Sequence, residues 1–530
     1  MFSLNMMLYI RECIIFLCLP FCESANILYV VPASPKSHDI FLRPIGLELA
    51  NRGHNVTVIT SFDVPNFPEN YHKVVVERKE LWDLLGITRP NIFETTEIST
   101  IKLINTILWK AGLALTEHIL NSTEVQDFLK QDNKYDLVIC ETFVQDAIYY
   151  FSHRYNAPLV LVTPFGNCMR HNIAVGNPLQ LATIHYEFVP IENPKSFMGR
   201  MKNLFISTYE YVSWRFWFLK EQEILAKKYI KGLPEPVPNL YDIEKNALLF
   251  LVNRHFSFNE PMAYLPNIIE IGGVHTTMNA EPEILSKEIE KVLNESTHGV
   301  VYINFGSNVK SSELPADKRN AFISILGRLK HTVLWKWEND RTKDMPQNII
   351  TRKWFPQHKI LAHPNIKLFI GHGGAMSTQE AVYFGVPILG VPIYADQYNN
   401  LLLTKEAGFG EILNFNDIDE ASTEKAINNI LDKEIYMLKA KEVSKLFRDR
   451  PMNPLETAIF WIEYVIRNNG TNHMKSSAID MHWTVFHMLD VYAFIVITFV
   501  AIVFLAVKLL IVLSYKLRFR SVLKEKQKRS

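Results

Sequence analysis

Apolar runs and amphipathic stretches alternate along this chain in an order that gives its architecture before any single residue is considered. Short continuous apolar runs at Asn26–Val31 and Val56–Thr60 flank Ile40–Asn51, where apolar residues recur at helical spacing; this is a βαβ unit with parallel strands. A further run of the same kind lies within Asp136–Thr142, and another begins at Leu249–Leu251. The alternation then starts afresh: strand Val300–Asn304, helix Ala316–Leu329, strand Thr332–Trp337, strand Lys367–Ile370, helix Ala375–Phe384 and strand Ile388–Pro392. Strands apolar on both faces belong to parallel sheets covered by helices, so the pattern predicts an α/β fold whose ligand clefts lie at the carboxyl ends of the strands. Residues 66–130 and 166–231 read as irregular and aromatic-rich, above all Tyr209–Leu219. Acceptor-pocket lining, contact with a membrane surface and ordinary core packing all account for such stretches.

The two ends of the chain follow a different rule. Arg11, the apolar stretch Cys13–Cys22 and small residues at Ser24 and Ala25 have the layout of a cleavable signal peptide over residues 1–25. Val491–Val507 is an uncharged apolar run, extendable to Leu513, long enough for one transmembrane helix. Lys516, Arg518, Arg520, Lys524, Lys526, Lys528 and Arg529 follow it, opposed only by Glu525. By the positive-inside rule this tail is cytosolic, which makes the expected topology single-pass type I with residues 26–490 in the lumen. The closing K-Q-K-R-S has the form of a dibasic retrieval signal to the endoplasmic reticulum, with a plain basic anchor as the competing account.

Composition adds little to that picture: 530 residues, 48% hydrophobic and a formal charge of +1 suit two or three globular domains and give no reason to expect a nucleic-acid partner. Three of the five cysteines lie in the signal segment, leaving Cys140 and Cys168 and no disulfide framework. Cys140 falls in an apolar strand, where a buried thiol is expected. Sequons stand at Asn55, Asn121, Asn294 and Asn469, the first discounted because it starts a core strand.

The chemistry concentrates between Trp354 and Gln397. Gly371–Gly374 turns an apolar strand into a helix, and the bare amides and positive dipole end of such a turn suit a phosphate or diphosphate, with Ser377 and Thr378 adding hydroxyls. Trp354 offers a flat face for a base and Gln357 a donor and an acceptor for its edge; Glu380 offers a carboxylate for ribose hydroxyls. Asp396 and Gln397, after the strand Ile388–Pro392, suit sugar hydroxyls, and the turn Gly306-Ser307 can reach a β-phosphate.

The block W-F-P-Q-(x)₅-H-P-(x)₆-G-H-G-G-(x)₅-E-A-(x)₃-G-V-P-(x)₈-D-Q resembles the signature of the UDP-glycosyltransferase family, in its membrane-bound animal branch and most nearly its arthropod members. The resemblance runs over nearly the whole mature chain. It implies that Trp354 stacks on uracil, His372 and Gly374 hold the diphosphate, Glu380 binds ribose, and Asp396 with Gln397 binds the sugar; Gln357 matches the same signature. It implies that His38, in the loop Pro32–His38, is the general base; His54, in the turn that enters the next strand, reads as structural. The acidic partner of that base falls at Glu141, where the family usually has Asp, with Asp146 as the fallback. Met376 departs from the pattern, standing where many members carry Asn beside the phosphate.

The fold implied is two facing Rossmann-like domains of GT-B type plus one C-terminal transmembrane helix. The expected division is a signal peptide at 1–25, an acceptor-binding domain at 26–245, a boundary and linker at 246–285 and a UDP-sugar domain at 286–446. A crossover helix and juxtamembrane segment at 447–490, a transmembrane helix at 491–513 and a cytosolic tail at 514–530 complete it. The implied activity is inverting transfer of a hexose, glucose by the arthropod likeness, from a UDP-sugar co-substrate to the hydroxyl of a small lipophilic acceptor in detoxification-type conjugation. Glucuronosyl transfer is the alternative within the enzyme class, and a non-catalytic UDP-sugar or lipid binding protein the alternative outside it. No bound cofactor or metal is expected, Asp417-Ile418-Asp419 being read as surface loop rather than a metal site. The expected partners are the UDP-sugar, the acceptor and a membrane, and the reading is compatible with a homo-oligomer.

Overall fold

The computed structural model of the chain describes residues 24–32, 35–96, 98–166, 169–277, 284–340 and 345–529. Cys168, nearly all of the expected signal peptide and part of the expected linker lie outside them. The described chain forms two compact units, residues 1–475 and 476–530.

The larger unit holds two wholly parallel sheets. The first comprises β1 (Asn26–Val31), β2 (Asn55–Thr60), β3 (Tyr71–Val75), β4 (Leu137–Glu141), β5 (Leu159–Thr163), β6 (Leu249–Val252) and β7 (Ile268–Glu270), in the order β3-β2-β1-β4-β5-β6-β7. The second comprises β8 (Val300–Asn304), β9 (Thr332–Lys336), β10 (Ile349–Arg352), β11 (Ile366–Gly371), β12 (Ile388–Gly390) and β13 (Gly410–Ile412), in the order β10-β9-β8-β11-β12-β13. Both orders run outward from the first strand in one direction and then in the other, the doubly wound arrangement. Alternate residues of one strand enter opposite cores: Leu28 and Val30 join one cluster, Ile27, Tyr29 and Val31 another. The second sheet repeats this, with Val301 and Ile303 on one face and Val300 and Tyr302 on the other.

Strands β6 and β7, within the expected boundary and linker 246–285, are hydrogen-bonded into the first sheet. Two expectations are corrected. His38 is not in a loop: the helix spans Lys36–Asn51 and takes it into its first turn, where Asp39 favours the positive end of the helix dipole. The stretches read as irregular contain helices, among them Ala111–Leu120, Phe197–Ser213 and Leu219–Tyr229, with π-helical segments at Ile104–Lys110 and Trp214–Phe218. Trp214 and Phe218 of the aromatic run are buried, whereas Phe216 and Trp217 are exposed.

Two segments tie the halves together. The helix Pro454–Arg467, capped by Asn453, sends Leu455, Ala458, Ile459, Ile462 and Val465 into the core on one face of the first sheet. In return Ile92 and Phe93 from the first half enter the core of the second sheet, where Phe93 stacks on Phe415 at 5.3 Å. His54 belongs to this scaffold. It is buried, accepts the Ala25 N–H on Nδ1 at 3.2 Å and holds Nε2 at 3.6 Å from Glu463 of the crossing helix.

In the smaller unit Leu489–Arg529 is one continuous helix, long and apolar enough to cross a membrane, and it carries the basic tail.

Candidate active site

In each sheet the strand order reverses beside its first strand, and the carboxyl ends there diverge to leave a crevice. In the first sheet that crevice lies between β1 and β4, and it holds His38 in the helix after β1 and Glu141 as the last residue of β4. In the second it lies between β8 and β11, and it holds Asn304 to Ser307 on one side and Gly371 to Gly374 on the other. Both crevices open on one cavity of about 530 Å³, lined by His38, Phe143 and Phe165 from the first half and by Ser307, Trp354 and Asp396 from the second.

His38 Nδ1 lies 2.5 Å from Glu141 Oε1, with both side chains buried. The carboxylate fixes the proton on Nδ1 and leaves Nε2 as the ring nitrogen with a free lone pair. The rings of Phe143 and Phe165 meet the imidazole edge-on at 5.0 and 5.3 Å and hold its plane. Asp146, the fallback partner, is not brought to His38. It is buried, accepts a hydrogen bond from Trp214 Nε1 at 3.1 Å, and burial pushes its carboxyl up to about 6.

Across the cavity the glycine-rich turn is packed against an imidazole. Gly306 has φ +85°, and a Cβ on it would come within 2.7 Å of the His372 ring; one on Gly374 would lie 2.5 Å from His372 Nε2. Only glycine fits at these points of close approach. Burial, then the Lys336 ammonium, carries the His372 imidazole down to about 4, so at neutral pH it is an uncharged ring. Its Nδ1 is buried and makes no hydrogen bond among the described residues. The helix Ala375–Phe384 begins beside it, and its first internal bond runs from Thr378 N–H to Gly374 O, so the amides ahead of Thr378 precede the helical ladder.

The next pocket is a linked set of polar groups. Gln357 Nε2 donates to Ser377 Oγ at 3.1 Å and to Glu380, while Gln357 Oε1 accepts from Asn304 Nδ2 at 2.7 Å. Trp354 stands at the rim, 45% exposed, with the Lys36 ammonium of the first half 4.3 Å above its ring. Beyond the glycine turn, Asp396 Oδ2 accepts from Asn400 Nδ2 at 2.7 Å, and burial pushes its carboxyl up to about 6. Gln397 Oε1 takes the N–H groups of Ile393 and Tyr394 at 2.8 and 3.1 Å, so its oxygen is committed to shaping this loop. Ala395, just before Asp396, has φ +58°, a left-handed conformation that costs a non-glycine residue energy and is characteristic of functional turns.

Several contributors escaped the sequence reading. Asn304 holds both Gln357 and the Gly306 N–H, and its signal was its place at the end of an apolar strand directly before a glycine turn. Lys336 donates to Gly306 O at 3.0 Å. Asn399 Nδ2 reaches into the first half and bonds the carbonyls of Tyr186, Glu187 and Val189. Met376 turns its side chain toward the apolar core of the first half, with its sulfur 4.0 Å from Asn253 Nδ2. The residue that breaks the phosphate-site pattern thus serves contact between the halves. Among the described residues no three His, Cys, Asp or Glu side chains gather as metal ligands. Asp419 is occupied as a helix cap, accepting from Ser422 N–H at 2.7 Å, and Asp417 Oδ2 accepts from Asn414 Nδ2 at 3.0 Å.

A family model described as UDP-glucoronosyl and UDP-glucosyl transferase matches residues 26–529. The chain is 35% identical over 474 residues to UDP-glycosyltransferase UGT5 of Dactylopius coccus, covering 89% of each chain. It is 35% identical over 484 residues to UDP-glucosyltransferase 2 of the same species, covering 90% of each. Among solved structures it is similar to UGT71G1 of Medicago truncatula complexed with UDP-glucose, with TM-score 0.56 and 17% identity over 84% of this chain and 99% of that one, a likeness of fold.

Proposed function

The chain belongs to the UDP-glucoronosyl and UDP-glucosyl transferase family, and we propose that it transfers glucose, with inversion, from UDP-glucose to a hydroxyl of a small lipophilic acceptor. The observation that carries this reading is the His38–Glu141 pair facing Asp396 and the glycine turn across one cavity. The acceptor O–H gives its proton to His38 Nε2 while its oxygen bonds to the anomeric carbon. The bond from that carbon to the diphosphate breaks in the same step, and UDP leaves with the electron pair. Glu141 stabilises the imidazolium that forms. The amides at the start of the helix Ala375–Phe384 and the neutral His372 ring receive the charge developing on the diphosphate. Trp354 stacks the base and Glu380 holds the ribose; Gln357, with its amide N–H groups spent on Ser377 and Glu380, fixes that carboxylate rather than reading the base edge. Ser307 and Ser377 serve the phosphates, and Asp396 with Gln397 binds the sugar. The apolar wall that includes Ile107, Leu108 and Leu115 suits a lipophilic acceptor.

Charge favours a neutral sugar over glucuronate. Glu187 lies beside Asp396, and burial, then the Asp396 carboxylate, pushes it up to about 7. A glucuronate would bring a further carboxylate toward Asp396, and the charge that Asp396 keeps at neutral pH disfavours it. The relative named as a UDP-glucosyltransferase agrees. Incubating the full-length protein with a phenol and each UDP-sugar in turn is expected to give turnover with UDP-glucose exceeding that with UDP-glucuronate by more than about tenfold. Preference for glucuronate overturns the sugar assignment, and no turnover with any donor hands the case to a binding protein on the same fold.

The apolar helix and its basic tail support a single-pass type I protein of the endoplasmic reticulum with the larger unit lumenal. In sealed, right-side-out microsomes protease is expected to remove only the tail, and digestion of the larger unit would refute the topology.

A further inference from the structure

A second histidine–carboxylate pair stands directly behind the first. His171 Nδ1 is 2.5 Å from Glu244 Oε1, and its Nε2 is 3.1 Å from the hydroxyl of Thr142. Thr142 follows Glu141 in the chain and also accepts the Tyr149 hydroxyl at 2.7 Å. One residue further, the Phe143 carbonyl accepts from Arg170 Nη2 at 2.7 Å, while Arg170 Nη1 donates to Glu210 Oε1 at 2.6 Å. Arg170, His171, Glu210 and Glu244 are all buried, and none of them lines the cavity.

Burying such groups is costly, and a core built for stability alone is as well served by apolar side chains of the same size. Glu141 shows what they accomplish. Its Oε1 meets His38, and its Oε2 is buried with no hydrogen bond among the described residues. The carboxylate that must orient the imidazole is therefore placed by the backbone where β4 ends, residues Glu141 to Phe143. Thr142 N–H donates to Val162 O at 2.8 Å on the sheet side, and His171 and Arg170 hold the other side. Moving these three residues would shift both the Glu141 carboxylate and the Phe143 ring that packs 5.0 Å from His38.

We infer that Arg170, His171, Glu210 and Glu244 form a buried clamp that positions the Glu141–Phe143 segment and through it sets the orientation of His38. They are positioning residues, and the inference rests on the reading of His38 as general base. A hydroxyl both donates and accepts, so Thr142 keeps its bond to His171 in either tautomer. Burial raises the Glu244 carboxyl to about 8 and lowers the His171 imidazole, so the pair is held uncharged at neutral pH.

Thr142→Val keeps the volume and removes the hydroxyl. In the full-length enzyme it is expected to lower kcat on the order of tenfold, with KM for UDP-glucose unchanged. Glu244→Leu is expected to match Thr142→Val, whereas Glu244→Gln, whose amide still bonds His171 Nδ1, retains at least about half of kcat. Wild-type kcat in Thr142→Val would overturn the clamp. So would losses that only follow the folded fraction read by thermal unfolding. His38→Ala in the same assay separates the two readings: full activity there removes the base itself, whereas an inactive His38→Ala beside a wild-type Thr142→Val removes only the clamp.

Discussion

His38→Ala is expected to slow transfer to alcohols and phenols by about 10²–10⁴-fold, the usual contribution of a positioned general base. The expectation comes from the tautomer: with Nδ1 held by Glu141 at 2.5 Å, the lone pair of the ring is on Nε2, the only imidazole nitrogen left to take the acceptor's proton. UDP affinity should stay at its wild-type value, because the groups assigned to base, ribose and diphosphate belong to the second sheet and its loops. Glu141→Gln should give a milder loss, since an amide oxygen still accepts from Nδ1 but no longer stabilises the imidazolium by charge. His54→Ala is the control, and it should act only through stability, given its burial between the Ala25 amide and Glu463. Initial rates and UDP affinity for the three variants check this together. Full activity in His38→Ala would remove the proposed mechanism.

Much of the second half was legible because its chemistry is local in sequence. Strand, glycine turn, helix and the following strand supply the groups proposed for diphosphate, ribose and sugar within the forty-four residues Trp354–Gln397, and the helix Ala375–Phe384 begins and ends where its apolar pattern does. The first half was harder because tertiary contact decides it. A glutamate and an aspartate less than two turns apart offer equal chemistry on paper, and only the folded chain shows Glu141 against His38 and Asp146 engaged by Trp214. Strands of four and three residues, such as β6 and β7, carry too little pattern to declare which sheet they join. Met376 illustrates the same limit: the signature suggested a lost phosphate contact, while the fold uses the side chain against the core of the first half, far away in sequence.

The donor assignment leads to the second large effect. Trp354→Ala and Glu380→Ala are each expected to weaken UDP binding by about 1–3 kcal/mol, the range measured for base stacking on an aromatic ring and for hydrogen bonds to charged groups. The Trp354 ring is exposed at the cavity rim and already holds a cation, Lys36, against its face, so it is built to present a flat surface rather than to fill a core. Glu380 is fixed by Gln357, itself held by Asn304, so the carboxylate waits in place and binding requires little reordering. Removing it also frees Gln357, and Glu380→Gln, which keeps the acceptor oxygen and loses the charge, isolates the ribose contact. Asp396→Ala should leave UDP affinity intact while impairing use of UDP-glucose, because Asp396 follows β12, beyond the glycine turn, and is assigned to the sugar alone. Titration calorimetry with UDP, set beside initial rates with the sugar donor, separates these effects. Equal UDP affinity in Trp354→Ala, Glu380→Ala and Asp396→Ala would contradict the division of the site into base, ribose and sugar ends.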